Sequence, residues 1–382
     1  MGEKNTWLRG IWRVAVGISI TVTIIIGFFL VTNFQNIAKM LEVAAIVKTQ
    51  YLHDIPLEQM MDGAVRGMVK SLEDPYSVYL DKEEYEDFAH HIEGSIGGIG
   101  VSVGVEEDRF VVFSVIEKTP AEAAGMKKGD IIYKVNNALT SEMDLDEAVN
   151  KMRGEPGTTV QISVLRDGQL REFNITRAVI DLPTVENFVL EEEQIGVIQV
   201  NLFASNTDEA LEDNLQEVLA KGVKGLVLDL RDNPGGDLQS AINMAKFFLP
   251  EGPIVHIVDR FGMTETIENK EPQTLKMPLV VLLNGGSASA SEVLAGAIKD
   301  HGTGTIIGEK SFGKALVQAL IPMRGGDAIK LTTAKYLTPK KVDIQAEGIH
   351  PDIEVVLSET DTVDTQLSKA VEVLRKQIND LK

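Results

Sequence analysis

The chain has 382 residues, 44% of them hydrophobic and 25% charged, ordinary proportions for folded protein with room for two or three cores. Its formal net charge of −20 speaks against nucleic-acid binding, because no basic patch easily dominates such a field. It holds no cysteine, which excludes disulfides, thiolate catalysis and cysteine-ligated zinc, and its six histidines form no HExxH or related metal pattern.

The N-terminus departs from this soluble picture. Val14–Gln35, VAVGISITVTIIIGFFLVTNFQ, carries no charge, and a helix needs roughly 20 such residues to cross a bilayer. Lys4, Arg9 and Arg13 precede the run, which orients the short tail to the cytoplasm. A cleaved signal peptide would have a shorter apolar part and a small-x-small site, whereas Val31–Phe34 is bulky. Residues 1–37 are therefore expected to be a cytoplasmic tail and a retained transmembrane signal-anchor, with the body of the protein outside the cytoplasm. Residues 38–92 read as helical, with three-to-four apolar spacing in IAKMLEVAAIVKTQYL and LEQMMDGAVRGMVKSL. Such helices either pack on a partner, most simply a second copy in a homodimer, or cap their own domain.

Residues 93–180 change to short strands broken by Gly, Asn and charged pairs. In DLDEAVNKMRG, Leu145, Ala148, Val149 and Met152 share one helical face, and the pattern stops at Gly154. TTVQISVLRDGQLREFNI reads as a hairpin with Asp167-Gly168 at its turn. The whole segment resembles a PDZ domain. That resemblance implies a peptide-binding loop at GGIGVSV, with Gly98, Ile99 and Gly100 offering N–H groups to a terminal carboxylate. The peptide would add as a strand beside Ile99–Val103, Val101 included. A phosphate loop is a weak alternative, since no GxGxxG spacing occurs and a strand follows.

From 181 to 357 strands and helices alternate. IGVIQVNLF, GLVLDL and PLVVLLN read as strands, and TDEALEDNLQEVLAKG, LQSAINMAKFFLP and SEVLAGAIKD as helices. Fully apolar strands joined by helices imply an α/β core with both sheet faces covered. Residues 358–382 end in a polar amphipathic helix, DTQLSKAVEVLRKQINDLK, suited to packing on the body.

Reactive groups in α/β folds gather where strands end and helices begin. In NGGSASASEVLAGAIKD, Ser289 sits at such a turn among Gly285, Gly286, Ala288 and Ala290. Helix N-terminal N–H groups beside it suit an oxyanion. On this segment alone Ser289 or Ser291 is either a nucleophile or a helix cap, with Glu292 favouring the dipole. A nucleophile needs a base. His301 lies a full helix away, and His90, His91 and His350 could serve only through tertiary approach. Lys314 and Gln318, four apart, share one face in a strand or a helix. A lysine base must be neutral, which asks burial to bring its pKa towards neutrality at roughly 4 kcal/mol of differential solvation. Phe312, Leu316 and Val317 could supply that burial, and Gln318 a neutral orienting bond. The same stretch fits GxxxxGK of a nucleotide loop, but Ala315 stands where Ser or Thr should bind magnesium, and ALVQALIPM reads as a strand.

GGSASASEVLAGAIKD, SFGKALVQ, TPKKVDIQAEGIHPD and RDNPGGDL together resemble the carboxyl-terminal processing peptidases, tail-specific serine proteases that carry a PDZ domain. The resemblance runs from about residue 40 to the end. It implies Ser289 as nucleophile, Lys314 as general base and Gln318 as its orienting partner, with Ser287 and Ser291 structural. Gly235 or Gly236, with Ala290, would supply the oxyanion N–H groups. Ala315 and Lys341 stand where the family often has glycine. The expected architecture is a crotonase-like α/β protease core with an inserted PDZ domain, an N-terminal helical region and a single transmembrane anchor. Its segments are 1–37, 38–92, 93–180, 181–357 and 358–382. The expected activity is membrane-tethered endopeptidase cleavage near substrate C-termini, gated by the PDZ domain, without metal or cofactor. Expected partners are substrate C-termini, a second copy, the membrane and a regulatory partner of unspecified kind. A catalytically silent PDZ adaptor is the alternative, disfavoured by the retention of Ser289, Lys314 and Gln318. An acyl-CoA enzyme is conceivable from fold alone, but an extracytoplasmic body denies it CoA.

Overall fold

A computed structural model describes residues 12, 16, 17, 19–21, 23, 34–107, 109–358 and 363–381. Most of the apolar run Val14–Gln35, and with it most of the expected anchor over 1–37, lies outside these residues. Among the described residues no helix is long and apolar enough to cross a membrane. The chain divides into two compact units, 1–73 and 74–382.

In the first unit, helix Phe34–Gln50 is followed by helix Leu57–Lys70, which starts after Pro56 and ends with basic Lys70 in its last turn. Proline fits there because the first helical turn needs no N–H from it. Met40, Val43, Ala44, Met60, Met61 and Ala64 line an apolar groove of about 330 Å³ within this unit.

The second unit opens with a departure from the helical expectation for 38–92. Val78–Leu80 is a strand, paired antiparallel with Ala328–Leu337. The Asp74 carboxylate accepts bonds from the Tyr76 N–H and the Ser77 hydroxyl, a side-chain turn that breaks the helical run. Tyr79 is then buried, with its hydroxyl 2.8 Å from Asp327 Oδ2. Helix Lys82–Ile92 restarts on a reciprocal Asp81–Glu84 capping box.

The strands Val101–Glu106, Arg109–Val115, Ile131–Val135, Thr159–Arg166 and Gln169–Thr176 form one antiparallel sheet in that spatial order. Val101–Glu106 is at its edge. Asp167 and Gly168 both hold positive φ, 52° and 74°, as a tight hairpin between Arg166 and Gln169 requires. Helix Leu145–Met152 is capped by Asp144 and buries Ala148 and Met152 against this sheet's core. The ribbon of Ser95–Gly98 and Ala178–Asp181 brackets the whole segment.

A second sheet has the order Val185–Leu190, Ile195–Val200, Gly225–Asp229, Leu279–Leu283, Thr305–Gly308, Ile353–Glu354. Its first pair is antiparallel and the others parallel. Alternate residues serve opposite faces. Ile198, Leu226, Leu228, Val281 and Leu283 pack with residues of helices Thr207–Ala220, Leu238–Phe248 and Ala290–His301. Val197, Val227, Val280 and Leu282 pack with Ala370 and Leu374 of the C-terminal helix Thr365–Asp380. Apolar residues at every position of Leu279–Leu283 follow from burial on both sides. A third sheet, antiparallel, joins Val78–Leu80, Ala328–Leu337, Gly252–Asp259 and Thr264–Asn269, with Leu316–Pro322 also on Ala328–Leu337. ALVQALIPM is thus a strand, and no helix follows Gly313-Lys314 as a nucleotide loop would need.

Arg231 fixes the C-terminal helix to the sheet. Its guanidinium bonds Asp229 at 2.6 Å, Asp364 at 2.8 Å and Gln366 at 3.1 Å. Burial works against the Asp364 carboxylate, but bonds from Arg231 and the Leu367 N–H outweigh it and hold its pKa below the usual carboxylate value. Arg231→Met leaves buried Asp229 and half-buried Asp364 without their cation, and should cost on the order of 3 kcal/mol in urea unfolding at neutral pH. A depressed carboxyl pKa contributes stability above its unfolded value and loses it as pH falls through the folded value. The gap between variant and wild type should therefore narrow in acid; equal stability at neutral pH would mean that the bridge contributes nothing.

Candidate functional site

Strand Leu279–Leu283 runs out at Asn284, and helix Ala290–His301 begins six residues later. The three serines between and beside them have different fates. Ser287, fully buried, donates to the Leu230 carbonyl at 2.8 Å and accepts from the Asn284 N–H at 3.0 Å. Ser291, also fully buried, donates to the Asn233 carbonyl at 3.0 Å. Ser289 lines a cavity of about 400 Å³. Its backbone sits at φ 55°, ψ −112°, a conformation costly for a residue with a Cβ. The Glu292 N–H lies 2.9 Å from the Ser289 carbonyl, and Ser289 and Glu292 stand as the two members of a capping box at the head of the helix.

The loop Asn233–Gly236 lies against this turn. The Asn233 side chain donates to the Val200 carbonyl at 2.7 Å and accepts from the Gly235 N–H at 2.9 Å. Gly235 and Gly236 hold φ 97° and 135°. A Cβ on Gly235 would stand 2.8 Å from the Ser289 Cβ and 2.9 Å from the Ala290 nitrogen. Gly235, Gly236 and Ala290 all line the same cavity as Ser289. The Gly235 N–H is already spent on Asn233.

Gln318 reaches this cavity from strand Leu316–Pro322 of the third sheet, and Lys314 from the loop that leads into it. The Lys314 Nζ stands 4.7 Å from the centroid of the Tyr76 ring. Burial pushes the Lys314 pKa down and Lys330 adds to the fall, while Glu292 and Asp74 work the other way. Lys330 lines the same cavity with its own pKa lowered by burial, its Nζ 5.0 Å from the Phe88 ring. The expected bond between Gln318 and the amine is absent among the described residues. A register shift between Val317 and Gln318 turns the Gln318 amide to the Leu316 carbonyl at 3.1 Å.

Of the histidines, His301 sits at the far end of the Ser289 helix, with Nε2 2.7 Å from the Pro253 carbonyl. His91 lines the cavity, its pKa lowered by burial and by Arg153. Three residues escaped sequence reasoning. Glu292, read there only as a partner of the helix dipole, is fully buried and accepts from Ser289 N at 2.9 Å, Ser311 Oγ at 2.6 Å, Gly313 N at 2.6 Å and Lys314 N at 2.9 Å. The Ser-x-x-Glu spacing of a capping box was its visible signal. The Tyr336 hydroxyl lies 3.0 Å from the Ser289 carbonyl and 2.7 Å from the Lys314 carbonyl. Neither Tyr336 nor Lys330 carries any local pattern that marks it.

Gly98, Ile99, Gly100 and Val101 line a second cavity of about 190 Å³, with Val103, Val149, Met152, Arg153 and His91. A Cβ on Gly100 would meet Thr119 at 2.3 Å, so only glycine fits there. The Ile99 and Gly100 carbonyls accept from Ala121 and Ile116. Of the positions where glycine was expected, Ala315 is fully buried and Lys341 takes φ 63°, the region glycine favours.

The family model of peptidase family S41 matches residues 194–355, a PDZ-domain model matches 97–176, and that of the activating protease CtpB N-terminal domain matches 29–84. The carboxy-terminal processing protease CtpB of Bacillus subtilis (strain 168) is 38% identical over 317 residues, 81% of this chain and 66% of the relative. A probable CtpA-like serine protease of Staphylococcus aureus (strain COL) is 35% identical over 346 residues, 90% of this chain and 68% of the relative. The chain thus spans about two thirds of the length of these relatives. Among solved structures, a photosystem II D1 C-terminal processing protease is 29% identical with a TM-score of 0.52, covering 88% of this chain and 90% of that one. A putative S41 protease from Bacteroides fragilis, 17% identical with a TM-score of 0.54 over 87% of this chain and 96% of that one, shares the fold.

The like charge of Lys330 depresses the Lys314 pKa, so removing it should raise that pKa. In Lys330→Met, acylation of Lys314 by an amine-directed reagent, followed by mass spectrometry across pH, should shift to higher pH. An unmoved profile would show that the two amines do not sense each other.

Proposed function

This chain belongs to peptidase family S41, the carboxyl-terminal processing serine proteases, and from that we propose a membrane-tethered endopeptidase that cleaves protein substrates near their C-termini under the control of its PDZ domain. One observation carries the reading. Of Ser287, Ser289 and Ser291, only Ser289 is strained and lines a cavity, and that cavity also receives a half-buried lysine with a lowered pKa.

In this reading the neutral Lys314 amine takes the Ser289 hydroxyl proton as Oγ attacks the scissile carbonyl. The tetrahedral oxyanion is held by the N–H groups of Gly236 and Ala290; Gly235, whose N–H bonds Asn233, instead lets the loop approach the serine. Protonated Lys314 then gives its proton to the departing amine. Water repeats the sequence on the acyl-enzyme and frees the acid. Gln318 orients the amine once its amide leaves the Leu316 carbonyl.

Substrate tails are captured at Gly98–Val101, adding as a strand along the sheet edge at Val101–Glu106 with the terminal carboxylate on the loop N–H groups. His91 lies on the wall of both cavities, so a tail seated in one alters the border of the other. We read the chain as an anchor over 1–37, a cap or dimerising region over 38–92 whose helices are interrupted by the strand Val78–Leu80, a PDZ domain over 93–180, a crotonase-like peptidase core over 181–357 and a closing helix over 358–382. The anchor reading rests on the charge-free run Val14–Gln35 behind Lys4, Arg9 and Arg13. The homodimer reading rests on the apolar groove of the helical unit.

Ser289→Ala should abolish hydrolysis of a fluorogenic peptide, a loss of several orders of magnitude, whereas Ser287→Ala and Ser291→Ala should cost stability of about 1–3 kcal/mol by leaving buried acceptors unpaired. Lys314→Arg should be as inactive as the serine variant, since guanidinium does not deprotonate near neutral pH. In the wild type kcat/KM should rise with pH through the depressed Lys314 pKa, earlier than an ordinary lysine would allow. Activity retained in Ser289→Ala would refute the dyad.

A protein ending in a free apolar C-terminus should be cut, and its amidated counterpart should bind about tenfold to hundredfold more weakly, since charge-assisted bonds to the loop are lost. Equal binding of the two forms in a calorimetric titration would remove the carboxylate from recognition.

A further inference from the structure

Ser289 follows a strand of the parallel sheet, and Lys314, 25 residues further on, precedes a strand of the third sheet. Their side chains can cooperate only if the two backbones keep a fixed separation. Two buried side chains, neither part of the proton-transfer chemistry, touch both backbones. The Glu292 carboxylate accepts the N–H of Ser289 and the N–H of Lys314, both at 2.9 Å and both on Oε2. Its other oxygen holds the Gly313 N–H and the Ser311 hydroxyl, each at 2.6 Å. The Tyr336 hydroxyl meets the carbonyls of the same two residues, Lys314 at 2.7 Å and Ser289 at 3.0 Å. Glu292 therefore holds the N–H of each member of the pair, and the single Tyr336 proton bridges their two carbonyls, nearer to that of Lys314.

We propose that Glu292 and Tyr336 are the positioning residues of this enzyme, a two-sided clamp that holds the strained Ser289 turn and the Lys314 loop as one rigid body. This rests on the Ser289–Lys314 reading and adds what keeps the pair in register. A carboxylate is the group the first position requires. All four partners of Glu292 are donors, so an acceptor-only side chain satisfies them together, and an amide would set its own NH₂ against two of them. A phenol suits the second position because two carbonyls face it: its single proton goes to the nearer Lys314 carbonyl at 2.7 Å or is shared with the Ser289 carbonyl at 3.0 Å, and an acceptor there would repel both. Burial and the neighbouring Glu292 keep the Tyr336 phenol protonated for this purpose. The clamp also over-determines the backbone of Ser289, which is the condition for a costly φ to persist.

The clamp has an electrostatic signature that plain structural support lacks. The charged groups around the Lys314 amine are Glu292 on helix Ala290–His301, Asp74 ahead of strand Val78–Leu80, and Lys330 on strand Ala328–Leu337. His91 of helix Lys82–Ile92 shares the cavity, and the Tyr76 ring faces the amine. Glu292 favours the protonated amine. Glu292→Gln removes that influence and also breaks the clamp. Two effects of opposite appearance follow. The plateau kcat falls on the order of a hundredfold, the cost of a misplacement of about 1 Å, with KM little changed. The rising limb of the pH profile moves to lower pH. Glu292→Asp keeps the charge but is one methylene short, so its kcat falls while the limb stays in place. Tyr336→Phe lowers kcat by about tenfold or more, with the limb in place and a slower reaction of Ser289 with a fluorophosphonate probe.

The test is a set of pH profiles of kcat and KM for the full chain and these three variants, with thermal melting and binding of a free-C-terminus peptide as controls of folding. Glu292→Gln with kcat within about twofold of wild type, or with an unmoved limb, overturns the clamp. Should that variant fail to fold, Tyr336→Phe decides: a folded protein with kcat and probe reactivity within about twofold of wild type also overturns it. Failure of the underlying reading looks different, because Ser289→Ala would then keep its activity.

Discussion

Removing the Glu292 carboxylate from water costs several kcal/mol, and what offsets that cost dictates the shape of the site. Three backbone N–H groups and one hydroxyl must converge on two oxygens that have no solvent access. The Ser289 turn and the Ser311–Lys314 loop meet this demand together, and the helix start, the strained serine and the Lys314 loop become mutually dependent. Desolvation strengthens each bond to the carboxylate, so partial loss of the arrangement is worse than its completion.

The parallel sheet supplies the platform on which this demand can be met. Leu279–Leu283 is central and apolar on both faces, so its C-terminal end is a fixed point from which the serine turn leaves. The neighbouring strand Gly225–Asp229 delivers the Asn233–Gly236 loop to the same edge. Gly235 is required there by proximity, since any Cβ would meet the serine and the first turn of its helix. The C-terminal helix covers the opposite face, held by apolar contact and by Arg231 between two carboxylates. The antiparallel third sheet brings in Lys314, and its Ala328–Leu337 strand carries both Lys330 and Tyr336. One strand therefore bears on the charge of the Lys314 amine and bonds its backbone carbonyl.

The Lys314 amine illustrates how balance rather than burial alone sets a proton affinity. Desolvation and Lys330 disfavour its charge, while Glu292 and Asp74 restore part of it. The amine rests over the Tyr76 ring, and Gln318 is turned to the backbone. Both side chains stand in the cavity with alternative partners near by, so a modest change at its wall suffices to re-pair them. His91 belongs to that wall and to the wall of the groove around Gly98–Val101.

Much of this was legible in the chain itself. The alternating sheet, the Asp167-Gly168 hairpin, the helix from Leu145 to Met152 and the strand nature of ALVQALIPM follow from period, turn chemistry and apolar runs, all local properties. The resemblance of RDNPGGDL, GGSASASE and SFGKALVQ to one peptidase family pointed to Ser289 and Lys314, because those motifs keep reactive residues among small neighbours. The strand at Val78–Leu80 was missed, since its pairing partner lies some 250 residues away in Ala328–Leu337 and local spacing cannot register it. The choice among Ser287, Ser289 and Ser291 was open in the sequence for the same reason. It turns on which hydroxyls find the carbonyls of Leu230 and Asn233, and those lie on another strand and loop. Tyr336 and Lys330 belong wholly to the tertiary structure, and so does the reach of Glu292 beyond its own helix start to Ser311, Gly313 and Lys314. A carboxylate, a phenol and an amine acquire their meaning only when folding removes water and brings donors, acceptors and charges from distant segments within a few ångströms of one another.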